Sequence, residues 1–326
     1  MRTLYYSHPE FLAHDTGLAH PESPERLRVI AEALAAPQFA GLTHLQAAVP
    51  DDIQDRIALV HGRAMIAKLL AAIPEQGLAN LDADTVVSPG SRQAALLAVA
   101  AVCDAVDKVC SGAADNAFCA VRPPGHHAMP DYPMGFCLFN NVAIAAEYAR
   151  TRYGLQRIAI VDFDVHHGNG TQAAFYDQPQ VLYISSHQWP HYPGSGHPAE
   201  HGVGNIVNLA LATGSDGTVL RSKYRETVFP ALRKFVPQLV LLSAGFDAHK
   251  DDPLASLRLT EADYRWLTVQ LCEIAEECCQ GRLISVLEGG YNLQALAGSA
   301  TAHVAALLGL ADEGVWPPSA EPVIAG

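Results

Sequence analysis

Two aspartates and two histidines stand together in VDFDVHHGNG (Val161 to Gly170), directly after the apolar residues Ile158 to Val161. Side chains alternate faces along a strand, so Asp162, Asp164 and His166 are expected to share one side while Phe163 and Val165 take the other. Ionised carboxylates at the buried end of a strand are costly unless they are paired or bound to a metal, and a divalent cation removes that cost. With Asp247 from GFDAHKDDP, Asp164 and His166 make a set of three oxygen and nitrogen ligands. Such a set leaves a coordination position for water or substrate, which is a catalytic composition. Donors of this kind without thiolate suit Zn²⁺ and also Fe²⁺, Co²⁺ or Mn²⁺. Helix caps and packed core histidines are the competing account. That account has to cover both aspartates, Asp247 and two adjacent pairs, His126 with His127 and His166 with His167, all at once.

The elements that must position these groups are short apolar runs separated by segments of helical period, the pattern of a mostly parallel sheet with crossover helices. Strands are predicted at Ala117 to Val121, Arg157 to Val161, Val181 to Ser185, Leu239 to Ala244 and Leu283 to Glu288. Each is followed by a polar loop: RPPGHHAMPDYPMGFC, DFDVHHGNG, SHQWPHYPGSG, GFDAHKDDP and GGYN. Ligands bind outside the carboxyl ends of strands in an open parallel sheet, so these loops are expected to converge. Helices are predicted at Ser91 to Cys110, Asn140 to Tyr153, Ser215 to Phe235 and Thr260 to Cys279, with Thr260 as an N-cap and Gly281 as a stop. A further helix is expected to start with Ser23 as cap and Pro24 in the first position. The expected fold is α/β, a single domain spanning residues 1–326, with an open, mostly parallel sheet flanked by helices on both faces. The Pro-rich tail GVWPPSAEPVIAG is expected to lie along the surface of its own chain or of a second copy in a homo-oligomer.

Composition narrows the partners. With 21 Lys plus Arg against 34 Asp plus Glu the net charge is −13, which argues against a nucleic-acid backbone or an anionic membrane as partner. The apolar run Ala94 to Cys103 is far short of the roughly 20 residues that span a bilayer. The opening MRTLYYSHPEF has no apolar stretch before a cleavage site, so a cytoplasmic location is expected. Seven cysteines without a Cys-x-x-Cys pair read as reduced, mostly buried thiols, and no redox role is assigned to the adjacent Cys278 and Cys279.

The motifs RPPGHHA (Arg122 to Ala128), GFCLFNN (Gly135 to Asn141), DFDVHHGNG, YPGSG (Tyr192 to Gly196), AGFDAHKDDPL (Ala244 to Leu254) and LEGGYNL (Leu287 to Leu293) carry a resemblance, as does HPESPERL (His20 to Leu27). In this order and spacing the chain resembles the zinc-dependent histone deacetylase family, within the arginase and deacetylase superfamily. The resemblance implies Asp164, His166 and Asp247 as zinc ligands and His126 with His127 as a proton-transfer pair, oriented by Asp162 and Asn169. It implies Tyr291 as the hydroxyl that polarises the scissile carbonyl. Gly135, Phe136 and Tyr192 would wall a channel for an acyl-lysine side chain, and Arg26 would line an inner cavity behind the metal. It further implies a potassium site built mainly from main-chain carbonyls around Asp162, Asp164, His166, Ser185 and Ser186.

Gly289 and Gly290 let the backbone turn and approach closely, presenting Tyr291 inward. Asn169 is neutral, so His127 is expected to stay a base, whereas Asp162 favours imidazolium at His126. Leu254 stands where the resemblance suggests a gatekeeper; an acidic residue there would attract the second ammonium of a polyamine, and leucine removes that attraction. Asp82 and Asp84 are candidates for a rim carboxylate that holds substrate. An acetylpolyamine or small-amide hydrolase is the alternative enzyme. A ureohydrolase would need two metals and more aspartate ligands, and a non-enzymatic acyl-lysine binder should have lost one of the site residues. His8, His14, His44, His61, His201 and His303 are assigned to packing. His187, His191 and His197 are placed in the loop after a strand, supporting the site at most, and His249, two positions after Asp247, is a candidate to approach the metal.

Overall fold

Short β-branched and apolar runs become strands here because each can be buried on both faces. The computed structural model describes residues 2–311, so the Pro-rich tail lies outside the described residues. In chain order the strands are β1 (Thr3–Tyr6), β2 (Thr43–Leu45), β3 (Ala79–Asn80), β4 (Val86–Val87), β5 (Asn116–Cys119), β6 (Ile158–Asp162), β7 (Val181–Gln188), β8 (Ile206–Leu211), β9 (Leu239–Ala244) and β10 (Leu283–Leu287). The α-helices are α1 (Glu25–Leu34), α2 (Ile53–Ile57), α3 (Arg63–Ala72), α4 (Ser91–Cys110), α5 (Asn141–Tyr153), α6 (Asn169–Phe175), α7 (Gly217–Lys223), α8 (Phe229–Phe235), α9 (Glu261–Cys279) and α10 (Leu293–Leu307).

Apart from the β3–β4 hairpin, the strands form one eight-stranded open sheet of order β2-β1-β5-β10-β9-β6-β7-β8 with helices around it. Its pairings are all parallel. The strands predicted from sequence are β5, β10, β9, β6 and β7, which are adjacent in the middle of the sheet. Being parallel and adjacent, they bring their five polar loops to one rim. The last strand, β10, is inserted between β5 and β9, so the loop carrying Tyr291 lies between the loop of His126 and that of Asp247.

Three boundaries depart from expectation. β7 continues through Ser186, His187 and Gln188, because these residues pair with Leu209, Ala210 and Leu211 of β8; His187 is therefore a strand residue. The helix expected over Ser215 to Phe235 is interrupted by a π-helical turn, Tyr224–Val228. Pro230 follows it; proline has no N–H to donate, and its ring crowds the carbonyl four residues back. α1 begins at Glu25 with Pro24 in the cap position and no side-chain cap from Ser23; the Ser23 carbonyl instead accepts from the Arg26 N–H at 3.2 Å.

Glu22 holds the N-terminal segment against the rim. Its carboxylate accepts from Arg122 at 2.5 and 2.8 Å and from Arg26 at 3.1 Å, and all three side chains are fully buried. Arg122 also donates to the carbonyls of Phe11 and His14, at 2.8 and 3.1 Å. Burial alone would raise the Glu22 pKa, but the Arg122 charge, then the His14 hydrogen bond, hold it well below the usual carboxylate range. Glu22→Gln should cost about 3–5 kcal/mol in denaturant unfolding, because two buried guanidiniums lose their counter-charge. A depressed native pKa means this stability is complete above the unfolded value. The gap between wild type and variant should therefore close as pH falls from about 4.3 toward that native value.

Candidate active site

β6 ends at Asp162, so the strand alternation expected to carry Asp164 and His166 inward stops before them. Side-chain turns do that work instead: Asp162 Oδ1 accepts from the Asp164 N–H at 3.1 Å, and Asp164 Oδ1 from the His166 N–H at 2.9 Å. Asp247, in the loop after β9, accepts from the Val165 N–H at 2.8 Å. Asp164, His166 and Asp247 thus offer donor atoms that all lie within 4.8 Å of one another, and all three are buried. His166 Nδ1 is 3.0 Å from Asp164 Oδ1 and 3.2 Å from Asp247 Oδ2.

The loop after β10 completes this cradle. The Gly289 N–H donates to Asp164 Oδ2 at 2.8 Å, and a Cβ at Gly289 would overlap the Asp247 and Asp164 carboxylates. Gly290 adopts φ +124°, a conformation that suits glycine and swings Tyr291 toward the cavity. Burial, then the neighbouring Asp164, push Asp247 up to about 7. Two carboxylates this close and this dry resist ionising together, and a divalent cation relieves both.

The histidine pair sits beside the triad with ring centroids 4.0 Å apart. His126 Nδ1 lies 3.0 Å from Asp162 Oδ2, whereas His127 Nδ1 lies 2.7 Å from Asn169 Oδ1. Burial lowers both rings. At His126 the charges of Asp164 and Asp162 overcome it and push the pKa up to about 10. At His127 burial is reinforced by His126 and His166, and the pKa falls well below its ordinary value. The Asn169 amide donates to the sulfurs of Met129 and Met134, both at 3.2 Å. Its oxygen therefore faces His127, which must donate from Nδ1 and keeps Nε2 as an acceptor.

A cavity of about 220 Å³ leads to these groups, lined by His127, His166 and Tyr291 with Gly135, Phe136 and Tyr192, and further by Asp84, His191 and Leu254. Of the two rim candidates, Asp84 reaches this cavity, while Asp82 Oδ1 accepts from the N–H groups of Asp84 and Thr85 at 3.0 and 2.6 Å. His191 is more than a support: its ring stacks on His166 at 5.2 Å and its Nε2 is 3.0 Å from the Leu254 carbonyl. Arg26 lies against the tyrosine loop, donating to the Gly290 carbonyl at 2.7 Å and to that of Glu288, with its guanidinium 5.1 Å from the Tyr291 ring. Ser186 Oγ bonds Tyr224 at 2.8 Å, and Ser185 Oγ bonds His187 at 2.9 Å. His249 stays outside the triad, 3.5 Å from Glu261. The cysteines are free thiols.

Three supporting groups were not anticipated. Glu288 accepts from the N–H groups of Gly125 and His126 at 2.7 and 3.1 Å, which fixes the histidine loop; burial pushes it up to about 7. Asp252 accepts from the N–H groups of Tyr291, Asn292 and Leu254, at 2.7, 3.2 and 3.0 Å. The Tyr183 hydroxyl donates to Asp162 at 2.9 Å. The acidic residues in LEGGYNL and HKDDP were the available signal for the first two.

Comparisons with known proteins show the family and the fold. Residues 20–307 match the family model described as histone deacetylase domain. The chain is 39% identical to the histone deacetylase-like amidohydrolase of Pseudomonas aeruginosa, over 84% of this chain and 73% of that protein. It is also 39% identical to Arabidopsis thaliana histone deacetylase 14, chloroplastic, over 94% and 77%. Among solved structures, the HDA15 HD domain superposes with a TM-score of 0.88 at 35% identity, covering 95% of this chain and 89% of that one.

Two outcomes follow from the electrostatics. In ¹⁵N spectra of metal-free protein, the His126 ring should remain doubly protonated until the pH approaches about 10, and the His127 ring should stay neutral through pH ~6. Asp162→Asn should lower the His126 titration; two rings that both titrate near 6.5 would contradict the account. Calorimetric titration with Zn²⁺ should show one tight site, lost in Asp164→Ala and in Asp247→Ala.

Proposed function

The chain belongs to the histone deacetylase family, and from that premise we propose that it removes an acetyl or longer acyl group from the ε-amine of acyl-lysine. It is a hydrolytic enzyme of the deacetylase and amidohydrolase type. The observation that carries the finer reading is the cavity lined by His166 of the triad together with His127 and Tyr291.

The residues fit a divalent metal. The triad is buried, mixes oxygen with nitrogen donors, and sets two carboxylates against each other where the glycine at 289 leaves room. Asp164, His166 and Asp247 would hold the ion, which we take to be Zn²⁺, with Fe²⁺ and Co²⁺ compatible with the same donors. When bound it supplies Lewis acidity toward an amide carbonyl and acidifies water. His127, neutral and with Nε2 free to accept, takes the proton of the attacking water. His126 stays cationic beside Asp162 and favours negative charge developing at the carbonyl oxygen. The Tyr291 hydroxyl, with its pKa raised by burial, keeps its proton and donates to that oxygen. The departing amine takes a proton from the histidine pair. A potassium ion near Asp162, Asp164, His166, Ser185 and Ser186 is proposed on the family resemblance, and the burial of all five residues supports it.

Leu254 presents no charge to the channel, which supports acyl-lysine over a polyamine. An acetylated polyamine is the second reading, favoured by the Asp84 carboxylate on the channel wall. No described helix is long and apolar enough to cross a membrane, and we keep the cytoplasm as the proposed location.

The deciding assay compares an acetyl-lysine peptide with N-acetylputrescine, using metal-stripped protein reloaded with Zn²⁺. The peptide should be cleaved faster, and Tyr291→Phe should lower kcat by about 100- to 1,000-fold. Asp247→Ala should abolish the metal-dependent rate. Faster cleavage of N-acetylputrescine would favour the second reading.

A further inference from the structure

The catalytic channel has a neighbour. A second cavity of about 390 Å³ has Met65, Leu69, Leu81 and Met134 among its lining residues. Its charged residues are Asp82, Asp131 and Lys68, and Tyr132, 47% exposed, stands at the rim.

Two strips of chain form a wall common to both cavities. In the first, the Met134–Cys137 turn is closed by reciprocal backbone hydrogen bonds of 3.2 and 3.0 Å. It places Met134 in the second cavity while Gly135 and Phe136 line the channel. In the second strip Asp82 belongs to the outer cavity and Asp84 to the channel, and the Phe136 N–H donates to Thr85 Oγ1 at 3.2 Å, joining the strips. The two mouths are within electrostatic reach of each other: burial first, then Asp84, Cys137, Asp82 and Tyr132 push the Tyr192 phenol up.

Resting on the acyl-lysine reading, we propose that this second cavity takes the side chain of a residue flanking the acyl-lysine, and that it selects arginine or lysine there. The substrate is then a basic stretch of polypeptide rather than a free small amine. A long basic side chain lays its methylene stem on apolar surface and keeps its head in water. Leu69, Leu81 and Met134 offer that surface, and Asp82 and Asp131, against the single cation Lys68, offer the head a net negative rim. The Tyr132 ring adds a face on which a guanidinium can sit. Both carboxylates are exposed, so solvent screens them and each contact is worth little singly. The selection is consequently modest and acts on binding rather than on the chemical step.

The test uses acetyl-lysine peptides with Arg, Ala or Glu immediately before or after the modified residue, and acetyl-lysine amide without flanking residues as reference. At one of the two positions KM should be lowest for Arg and highest for Glu, with roughly three- to tenfold between Arg and Ala, and with kcat unchanged. Asp131→Asn and Tyr132→Ala should each shrink that preference while leaving the unflanked amide unaffected, and Lys68→Gln should widen it. Equal KM values at both positions would overturn the inference. So would a preference undiminished in Asp131→Asn and Tyr132→Ala, which would assign it to the overall charge of the chain. Cleavage of the unflanked amide without any flanking effect would remove this subsite alone. Failure to cleave any of the substrates would bring down the acyl-lysine reading and the subsite with it.

Discussion

Uncompensated negative charge at the carboxyl rim of the sheet is the constraint on which the rest of the site depends. Asp162, Asp164, Asp247 and Glu288 are each at most 1% exposed, where an isolated charge is costly. The fold answers each differently. Asp162 has His126 and the Tyr183 hydroxyl. Glu288 has two backbone N–H groups and the Ser243 hydroxyl. Asp164 and Asp247 receive backbone N–H groups on one side, but on the side where they face each other they share one ring nitrogen of His166. His126 Nε2 lies a further 3.8 Å from Asp164 Oδ1, so the shortage of positive charge falls on Asp247 and on Glu288, both of which burial pushes up to about 7.

The same accounting separates two histidines that look alike in sequence. His126 and His127 are neighbours, equally buried, with rings almost in contact. The charges of Asp164 and Asp162 overcome burial at His126 and not at His127, and that decides which is a cation. Once His126 is charged, its own field helps to keep His127 neutral. Asp162 thus adds to Asp164 in charging His126, while burial, His126 and His166 keep His127 neutral.

The central strands were legible because burial on both faces demands continuous apolar runs, and the five that were read are the five that the sheet places side by side. β1, β2 and β8 were not. β2 is three residues long with exposed positions, and β8 interleaves Asn208 with its apolar residues, so neither shows a signal against the surrounding chain. The triad and the histidine pair were legible from their clustering, as was the contrast of Asp162 with Asn169 from the family motifs. The partners of Glu22, Glu288 and Asp252 were hidden. Glu22 meets Arg122 across a sequence separation of 100 residues, and Glu288 meets Gly125 across 163; a lone acidic residue carries no mark of which distant donor it will accept from. His191 was undervalued because a loop's path decides whether its ring faces solvent or stacks on His166.

These hidden partners explain how a tyrosine on a glycine turn can be held in one place. Two glycines ahead of Tyr291 give its loop freedom, which by itself would spread the hydroxyl over many positions. Arg26 grips the carbonyls of Glu288 and Gly290 and stacks beside the ring, and Asp252 grips the N–H groups of Tyr291 and Asn292. Arg26 is itself held by Glu22, which is held by Arg122 at the start of the histidine loop. The tyrosine and the histidines are therefore positioned from one buried ion-pair network. The N-terminal segment, which contributes none of the three proposed metal ligands, thereby ties the tyrosine loop to the histidine loop.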